Sequence, residues 1–361
     1  MKLEHDLSLK TRSMEALVWS EQGQLELCLR DEPQLLRPTD VKVKIHMTGI
    51  CGTDLAVITG KELGIQNVIR GHEAVGTVVE VGTSVDKVQI GDRVVIDPNQ
   101  SCNQCRFCKQ DKQHLCIGMD GQGMRISGLN DAGTFAPFFV TDVQFIHPLS
   151  PSISWEAAVL VEPLACVLHN FREAGVTRND TVLILGSGPM GILCQLVSKY
   201  IGCVTIATEK NLYRLSYAAQ FSDDACKPEH LQEDRVKPLL HDRKFDVVID
   251  TVGNQMETAE RWVERGGRII PFGINGKYQY TITPTHYTQQ AIKIVGAGEY
   301  LNTFGEALQF AEDHSILATL VTKKYSLHDY ETAIQELVGY DLRTGETYET
   351  NTLKTVFVFE K

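Results

Sequence analysis

Residues 181–209 constrain the fold more than any other part of this 361-residue chain. They begin with the uninterrupted apolar run TVLILG (181–186), which is typical of a strand buried on both faces. A glycine-rich turn follows, then GILCQLVSKY with helical spacing, and then a second apolar run at 203–208. Strands and helices that alternate in this way predict a doubly wound parallel sheet. Two further apolar runs repeat the theme at 245–253 and 267–273.

The glycine-rich turn has the sequence GSGPMG, which is G-x-G-x-x-G. The motif is weak alone, but here it follows a predicted buried strand and opens a predicted helix, as a dinucleotide site requires. We expect Gly186 to permit the tight turn, Gly188 to let a pyrophosphate approach the backbone, and Gly191 to let the helix pack against the sheet. Pro189 and Met190 complete the predicted cofactor-binding turn.

Glu209 ends the second predicted strand and is the expected ribose ligand. Its carboxylate would accept hydrogen bonds from a ribose 2′-hydroxyl and repel a 2′-phosphate, so the sequence favours NAD over NADP. Lys210 and Arg214 lie close by in the sequence and keep NADP open as the less favoured cofactor.

Four cysteines form the run C-x2-C-x2-C-x7-C, and they are Cys102, Cys105, Cys108 and Cys116. This spacing lets the sulfurs converge on the tetrahedron that Zn²⁺ prefers, and four thiolates leave no open position, so the predicted zinc is structural. Disulfides are the alternative. The other six cysteines are scattered, mostly in apolar stretches, and the polar start of the chain lacks a secretory pattern. The pattern therefore favours metal binding in a reducing cytoplasm.

Composition excludes several classes of function. The formal net charge of −11 argues against nucleic acid or an anionic membrane as a partner, and no apolar run is long enough for a membrane helix. A chain of this length is expected to form about two domains. The first dozen residues are expected to form a loose extension, and 341–352 an exposed hairpin or loop.

The first 150 residues predict short strands, with no long helical pattern. The later chain predicts a helical stretch at 152–175 with Ser154 as its N-cap. Near the end, two helical patterns precede a final strand. The predicted strands of the first part are 14–19, 40–50, 76–82 and 92–98; the late elements are helices around 302–314 and 326–337 and the strand 355–360.

A second metal site is predicted from dispersed residues. Cys51 follows a predicted strand, His72 and Glu73 come about twenty residues later, and Glu162 lies in VEPLAC. Together they supply a thiolate, an imidazole and one or two carboxylates, which are all normal zinc ligands. An open zinc site beside a nicotinamide suits alcohol oxidation, because the metal favours the alkoxide and the cofactor accepts hydride.

In their order, these motifs resemble the zinc-dependent medium-chain dehydrogenases, and most closely the polyol (sorbitol), threonine and sugar dehydrogenase branch. The motifs are CGTD, GHEAVGTVVEVG, the four-cysteine loop, VEPLAC and GSGPMG. The resemblance implies an α/β protein with a GroES-like β-barrel catalytic domain, residues 1–165 and 299–361, which carries the structural zinc loop 102–116. A Rossmann coenzyme domain would span 166–298, and the chain would form a homodimer or homotetramer.

The resemblance also implies roles for the second metal site. Cys51 and His72 match the catalytic zinc ligands, and Glu73 matches a carboxylate that coordinates zinc in some members only. Glu162 stands where alcohol dehydrogenases have a cysteine and polyol dehydrogenases a glutamate. One thiolate and two carboxylates would outweigh a divalent ion, so we expect Cys51, His72 and one glutamate to bind directly. The other glutamate would reach zinc through water or transiently.

The remaining roles surround these ligands. By resemblance, Thr53 accepts the proton of the substrate hydroxyl, and Asp54 orients the ligand histidine. Phe272 and Ile274 would line the nicotinamide pocket, although simple packing beside the sheet explains them equally well. Many relatives have a histidine where this chain has Ala56, so the outer proton path must differ.

We therefore expect an enzyme with two Zn²⁺ per chain that oxidises a secondary alcohol on a polyol, sugar or cyclitol with NAD. L-Threonine and sugar-alcohol phosphates remain open as substrates within the same chemistry. A non-catalytic zinc-binding module is the alternative from another class, and the cofactor motif and the net charge oppose it.

Overall fold

The computed structural model describes residues 12–241 and 243–359, so the predicted N-terminal extension lies outside the described residues except for Arg12. The strands are β1 (Ser13–Trp19), β2 (Leu25–Asp31), β3 (Asp40–Gly49), β4 (Val68–Ile69), β5 (Glu73–Val81), β6 (Arg93–Ile96), β7 (Asn99–Gln100), β8 (Arg125–Ile126), β9 (Phe138–Asp142), β10 (Ile146–Pro148), β11 (Thr181–Leu185), β12 (Val204–Thr208), β13 (Asp224–Cys226), β14 (Phe245–Asp250), β15 (Val263–Pro271), β16 (Lys293–Ile294), β17 (Val321–Tyr325) and β18 (Lys354–Val358). The α-helices are α1 (Gly52–Ile58), α2 (Trp155–Ala158), α3 (Val161–Glu173), α4 (Pro189–Ile201), α5 (Leu212–Phe221), α6 (Glu233–Leu240), α7 (Met256–Trp262), α8 (Pro284–Gln290), α9 (Phe304–Asp313) and α10 (Tyr330–Val338).

The N-terminal part folds around a seven-stranded sheet in the order β10-β6-β5-β3-β18-β17, with β9 also paired to β3. The central strand β3 pairs antiparallel with β5 over most of its length. Its other edge pairs with β9 near its start and with β18 near its end. The chain therefore returns to its first sheet after about 300 residues, and β3 has a neighbour on both sides at the end where the metal site is predicted.

Residues 181–294 form a separate six-stranded parallel sheet in the order β13-β12-β11-β14-β15-β16. The predicted runs at 181–186, 203–208, 245–253 and 267–273 correspond to its four central strands, and most of their residues are buried. The strand order reverses between β12-β11 and β14, so α4 begins at the crevice where ligands bind in such sheets. The doubly wound fold class predicted from the sequence is confirmed. The domain boundaries at residues 165 and 299 stay a prediction.

The predicted helical stretch at 152–175 is two helices, α2 and α3, rather than one. Ser154 caps α2 as expected, since its side-chain oxygen accepts from the backbone N–H of Ala157. The break before Val161 places Pro163 in the first turn of α3, where a missing N–H costs no helical hydrogen bond. Helix α1 was not expected from the sequence; it is seven residues long and begins directly after Cys51.

The late elements follow the prediction closely. Helix α9 lies within its predicted pattern, α10 ends at Val338, one residue beyond its pattern, and β18 overlaps the predicted last strand but begins at Lys354, one residue earlier. The segment 341–352 is mostly exposed, with one isolated bridge between Tyr340 and Thr347, as a surface hairpin requires. Within the described ranges, the helices are all too short or too polar to cross a lipid bilayer.

Candidate active site

The second metal site forms where β3 ends beside the start of β5. Cys51 is the N-cap residue of α1, and Glu73 is the first residue of β5, directly opposite Gly49 of β3. His72 immediately precedes Glu73. Gly71 permits this approach, because its φ is +92° and a Cβ there would lie 2.2 Å from the ring of Phe135. Turn, strand and helix cap thus bring distant residues to one point.

The structure places one donor atom each from Cys51, His72 and Glu73 within 4.8 Å of one another. Glu73 Oε1 is buried and has no hydrogen-bond partner among the residues that the structure describes. Burial, and then the charge of Glu73, raise the pKa of Cys51 to about 12, so its thiolate needs a cation at the sulfur. A divalent metal would satisfy all three groups, and thiolate, imidazole and carboxylate are a zinc donor set.

Asp54 stabilises the start of α1 by accepting a hydrogen bond from the backbone of its N-cap residue, Cys51. Its side chain is fully buried, and Oδ2 accepts from the backbone N–H of Cys51 at 3.1 Å. Arg70 donates its Nε–H to Oδ1 at 3.2 Å, so the carboxylate is compensated in the interior. The same Oδ2 lies 4.0 Å from His72 Nδ1. Asp54 therefore holds Cys51 by its backbone and faces the imidazole, as an orienting carboxylate would.

Glu162 lies in the first turn of α3 and borders the site without joining the three-residue cluster. Its Oε1 is 3.7 Å from Cys166 Sγ, one helical turn on. Burial raises the pKa of Glu162 well above its usual range, and His72 opposes this rise while Glu73 adds to it. The sequence-predicted ligand therefore interacts electrostatically with the site, but among the described residues the donor atoms that lie within 4.8 Å of one another here belong to Cys51, His72 and Glu73.

Thr53 lies in the first turn of α1, with its hydroxyl 3.6 Å from Cys51 Sγ. The hydroxyl is therefore adjacent to the predicted metal ligand, where the family resemblance predicts a proton acceptor. Ala56, one turn further on, is buried and carries no titratable group.

Lys354 is a member of the site that the sequence analysis missed. Its side chain is 3% exposed, Nζ forms a close ion pair with Glu73 Oε2, and Nζ also donates to the carbonyl of Ile50 at 3.0 Å. Burial alone would lower the pKa of Lys354, but Glu73 and Cys51 raise it above its ordinary value. The ammonium therefore stays charged beside the metal ligands. The only sequence signal was a lysine at the start of an apolar strand.

A second group of polar residues that sequence reasoning missed lies on the segment before α9. Glu299 is half-buried, and its Oε2 accepts from Asn99 Nδ2 at 3.5 Å. The neighbouring Tyr300 donates its hydroxyl to Asp97 at 2.6 Å. Burial raises the pKa of Glu299 above its ordinary value, although Asn99 and His72 act in the opposite direction. The contribution from His72 shows that this carboxylate interacts electrostatically with the site.

The four cysteines of the zinc loop also converge. Sγ of Cys108 lies 3.5 Å from that of Cys105 and 3.9 Å from that of Cys102. Cys116 Sγ accepts backbone N–H groups of Cys102 and Gly118, both at 3.3 Å. All four donor atoms lie within 4.8 Å of one another, and the ten cysteines, all of them in the described residues, form no disulfide. These contacts fit a closed zinc site and not a disulfide cluster.

The glycine-rich turn joins β11 to α4 as predicted. Gly188 is the N-cap of α4 without a side-chain cap, and Pro189 follows at the first helical position, with Met190 next to it. The first-turn N–H groups of this thirteen-residue helix are thus available to an anionic group. A Cβ on Gly191 would lie 2.1 Å from the carbonyl oxygen of Gly186, so only glycine allows this close packing. The turn fits a dinucleotide pyrophosphate.

Glu209 follows β12 and faces this turn. Its Oε2 accepts the backbone N–H of Ser187 at 2.7 Å, and its Oε1 accepts that of Asn211 at 2.9 Å. Arg214 also lies beside the turn: its Nε donates to the carbonyl of Thr352 at 3.0 Å, and a terminal nitrogen lies 3.8 Å from where a Cβ on Gly188 would be. The carboxylate is therefore fixed beside the turn, where a ribose would follow the pyrophosphate.

Phe272 and Ile274 follow β15 and differ in exposure. Phe272 is partly buried against the main hydrophobic core, and Ile274 is 56% exposed. Both lie at the carboxyl end of the parallel sheet, on the same side as the glycine-rich turn. Their predicted contact with the nicotinamide stays a prediction.

Two domain families match the chain: "Alcohol dehydrogenase GroES-like domain" over residues 37–151, and "Zinc-binding dehydrogenase" over residues 189–313. Among curated proteins, the chain is 29% identical over 314 residues to sorbitol dehydrogenase of Bacillus subtilis, covering 83% of this chain and 87% of that protein. It is 30% identical over 334 residues to probable D-xylulose reductase A of Aspergillus fumigatus, covering 87% and 91%.

Solved structures share the whole architecture. A zinc-binding dehydrogenase from Sinorhizobium meliloti, crystallised with NADP, superimposes with a TM-score of 0.83 at 22% identity, covering 96% of this chain and all of the other. At this level of identity, the similarity supports the shared fold, in which a GroES-like part is joined to a Rossmann-like part.

Proposed function

This chain belongs to the zinc-binding alcohol dehydrogenase family, and we propose that it catalyses the reversible NAD-linked oxidation of a secondary alcohol on a polyol, sugar or cyclitol. The convergence of Cys51, His72 and Glu73 where β3 ends beside the start of β5 is the observation that carries the proposal. The relatives named for sorbitol and xylulose support a polyhydroxylated substrate.

In the proposed reaction, Cys51, His72 and one glutamate would hold the catalytic zinc, which when bound would supply positive charge where the substrate hydroxyl loses its proton. Thr53 takes the proton of the substrate hydroxyl at its Oγ1, beside Cys51. Asp54 keeps the cap of α1 and the imidazole in place. Ala56 offers no titratable group, so the proton leaves Thr53 without help from that position.

NAD supplies the hydride acceptor when it is bound. We assign its pyrophosphate to the N-terminus of α4 and its adenosine ribose to Glu209, which both face the same turn. Phe272 and Ile274 would face the nicotinamide. NAD is favoured because the carboxylate of Glu209 would repel a 2′-phosphate, and Arg214 beside the turn leaves NADP as the less favoured cofactor.

The four-cysteine loop would hold the second, structural zinc. We further propose a homodimer or homotetramer in a cytoplasmic, reducing environment, in which ten unpaired cysteines persist. The catalytic domain of residues 1–165 and 299–361 and the coenzyme domain of residues 166–298 belong to the same proposal.

The test combines metal analysis with a substrate panel. We expect two zinc ions per chain, and reduction of NAD by at least one member of a panel of polyols, aldoses, cyclitols and L-threonine. Cys51→Ser and His72→Ala should abolish turnover and retain NAD binding, while Cys28→Ser, away from the site, should behave as wild type. Turnover that survives in Cys51→Ser or His72→Ala would disprove the site assignment.

A further inference from the structure

The observation behind our inference is the ion pair between Glu73 and Lys354, which join the site from two different strands. Strand β3 lies between them, with Gly49 opposite Glu73 of β5 on one side and opposite Val356 of β18 on the other. The two side chains meet over Gly49. A Cβ there would lie 2.0 Å from Glu73 Oε2 and 2.9 Å from Lys354 Cε, so the contact needs a glycine at this position.

The pair is enclosed by protein. Glu73 has no exposed side-chain surface and Lys354 only 3%, and the ammonium is also fixed by the carbonyl of Ile50. A buried ion pair this close is a strong restraint on both side chains, because either one alone would be an uncompensated charge in the interior. The metal ligand candidate Glu73 is therefore held from one side by a cation.

Charge counting gives the restraint a purpose. A thiolate at Cys51 and carboxylates at Glu73 and Glu162 would carry three negative charges if all three were ionised around a zinc ion, which supplies only two positive charges. The ammonium of Lys354 supplies the third. A carboxylate oxygen that is bound to an ammonium is also a weaker donor to a metal than a free one.

We infer that Lys354 is a positioning residue that occupies Oε2 of Glu73, so that Glu73 can offer zinc only Oε1 and the metal keeps an open position and its Lewis acidity. The inference rests on the proposed zinc site at Cys51 and His72. Lys354 would act through Glu73 alone, without contacting substrate or cofactor. Gly49 leaves the space in which the side chains of Glu73 and Lys354 meet.

The test uses the full chain with Co²⁺ in place of zinc, because the visible absorption of Co²⁺ weakens when its coordination number rises above four. The spectrum of Cys51→Ser, which keeps only the four-cysteine loop, is subtracted as background. In Lys354→Met we expect weaker visible absorption, slower loss of metal to a chelator, and turnover reduced by roughly 10- to 100-fold. Slower loss is decisive, since a merely loosened structure would release metal faster.

Three further variants complete the design. Adding Glu73→Gln to Lys354→Met should restore the spectrum, and Lys354→Arg should retain it. Gly49→Ala displaces the same pair without changing either charge, and should move the spectrum in the direction of Lys354→Met even if that variant folds poorly. The matched controls are Lys324→Met, an exposed lysine of β17, and Gly305→Ala, where a Cβ meets open space.

Wild-type absorption in Lys354→Met, or faster metal release from it, would overturn the inference and leave the proposed function intact. A wild-type protein whose spectrum equals that of Cys51→Ser would instead disprove the catalytic metal site itself.

Discussion

Glu209→Gln tests whether one carboxylate decides the choice between NAD and NADP. The side chain accepts two backbone N–H groups, from Ser187 at 2.7 Å and from Asn211 at 2.9 Å, so its position beside the turn is well defined. Glutamine keeps the size and one acceptor oxygen but removes the charge. It also leaves one of the two N–H groups free to donate to a phosphate.

The magnitude follows from the charges. Two unit charges about 4 Å apart repel by about 4 kcal/mol at the effective dielectric constant of a protein surface. Glu209 is half-exposed, so salt and solvent reduce this to about 2 kcal/mol. Loss of the charged hydrogen bond to the ribose costs NAD about 1–2 kcal/mol. Since about 1.4 kcal/mol is a factor of ten, the preference for NAD should fall by roughly 100- to 1,000-fold.

The assay is the ratio of kcat/KM for NADP to that for NAD, followed by absorbance of the reduced nicotinamide, with both dissociation constants from calorimetry. Glu229→Gln is the matched control, because it removes an exposed carboxylate from the same sheet region and should leave the ratio unchanged. A folded Glu209→Gln protein whose ratio shifts by less than about threefold would refute the electrostatic reasoning.

Two other predictions concern the metal loop and the substrate cleft. Cys105→Ser should lower the thermal unfolding temperature and release one zinc per chain, because it removes one of four tethers; loss of chemistry at unchanged stability would mean that the two metals have been exchanged. Glu299→Gln should raise KM with little effect on kcat, because this carboxylate has acceptor capacity beyond its long contact with Asn99 and interacts electrostatically with His72 of the proposed site. The rise should be larger for an amino-substituted polyol than for the neutral one, and equal KM values in wild type and variant would show that Glu299 does not contact substrate.

The sequence predicted best where the signal is local. The run TVLILG corresponds to β11 within one residue, since a strand buried on both faces must be apolar throughout. Ser154 was recognisable as a cap, because capping involves residues only three apart. The four cysteines converge for the same reason, as their spacing already limits where the sulfurs can lie.

Features set by pairing between distant strands could not be predicted. In the sequence, Lys354 is simply a polar residue at the start of an apolar strand. The register of β18 on β3 is what brings its side chain to Glu73. Glu299 lies in a segment without regular pattern, and its neighbour Asn99 is 200 positions earlier. Helix α1 is too short for its periodicity to stand out after a long strand.

The closing of β3 by β18 also has a consequence for biogenesis. Until residues 354–358 have been synthesised, the last part of β3 lacks its neighbour and leaves backbone N–H and C=O groups exposed at a bare edge. The parallel sheet of residues 181–294 is complete before then and can fold as a unit. A nascent chain of this protein is therefore open to aggregation at that edge until its last strand has been made, and a chaperone that covers the edge would protect it during that interval.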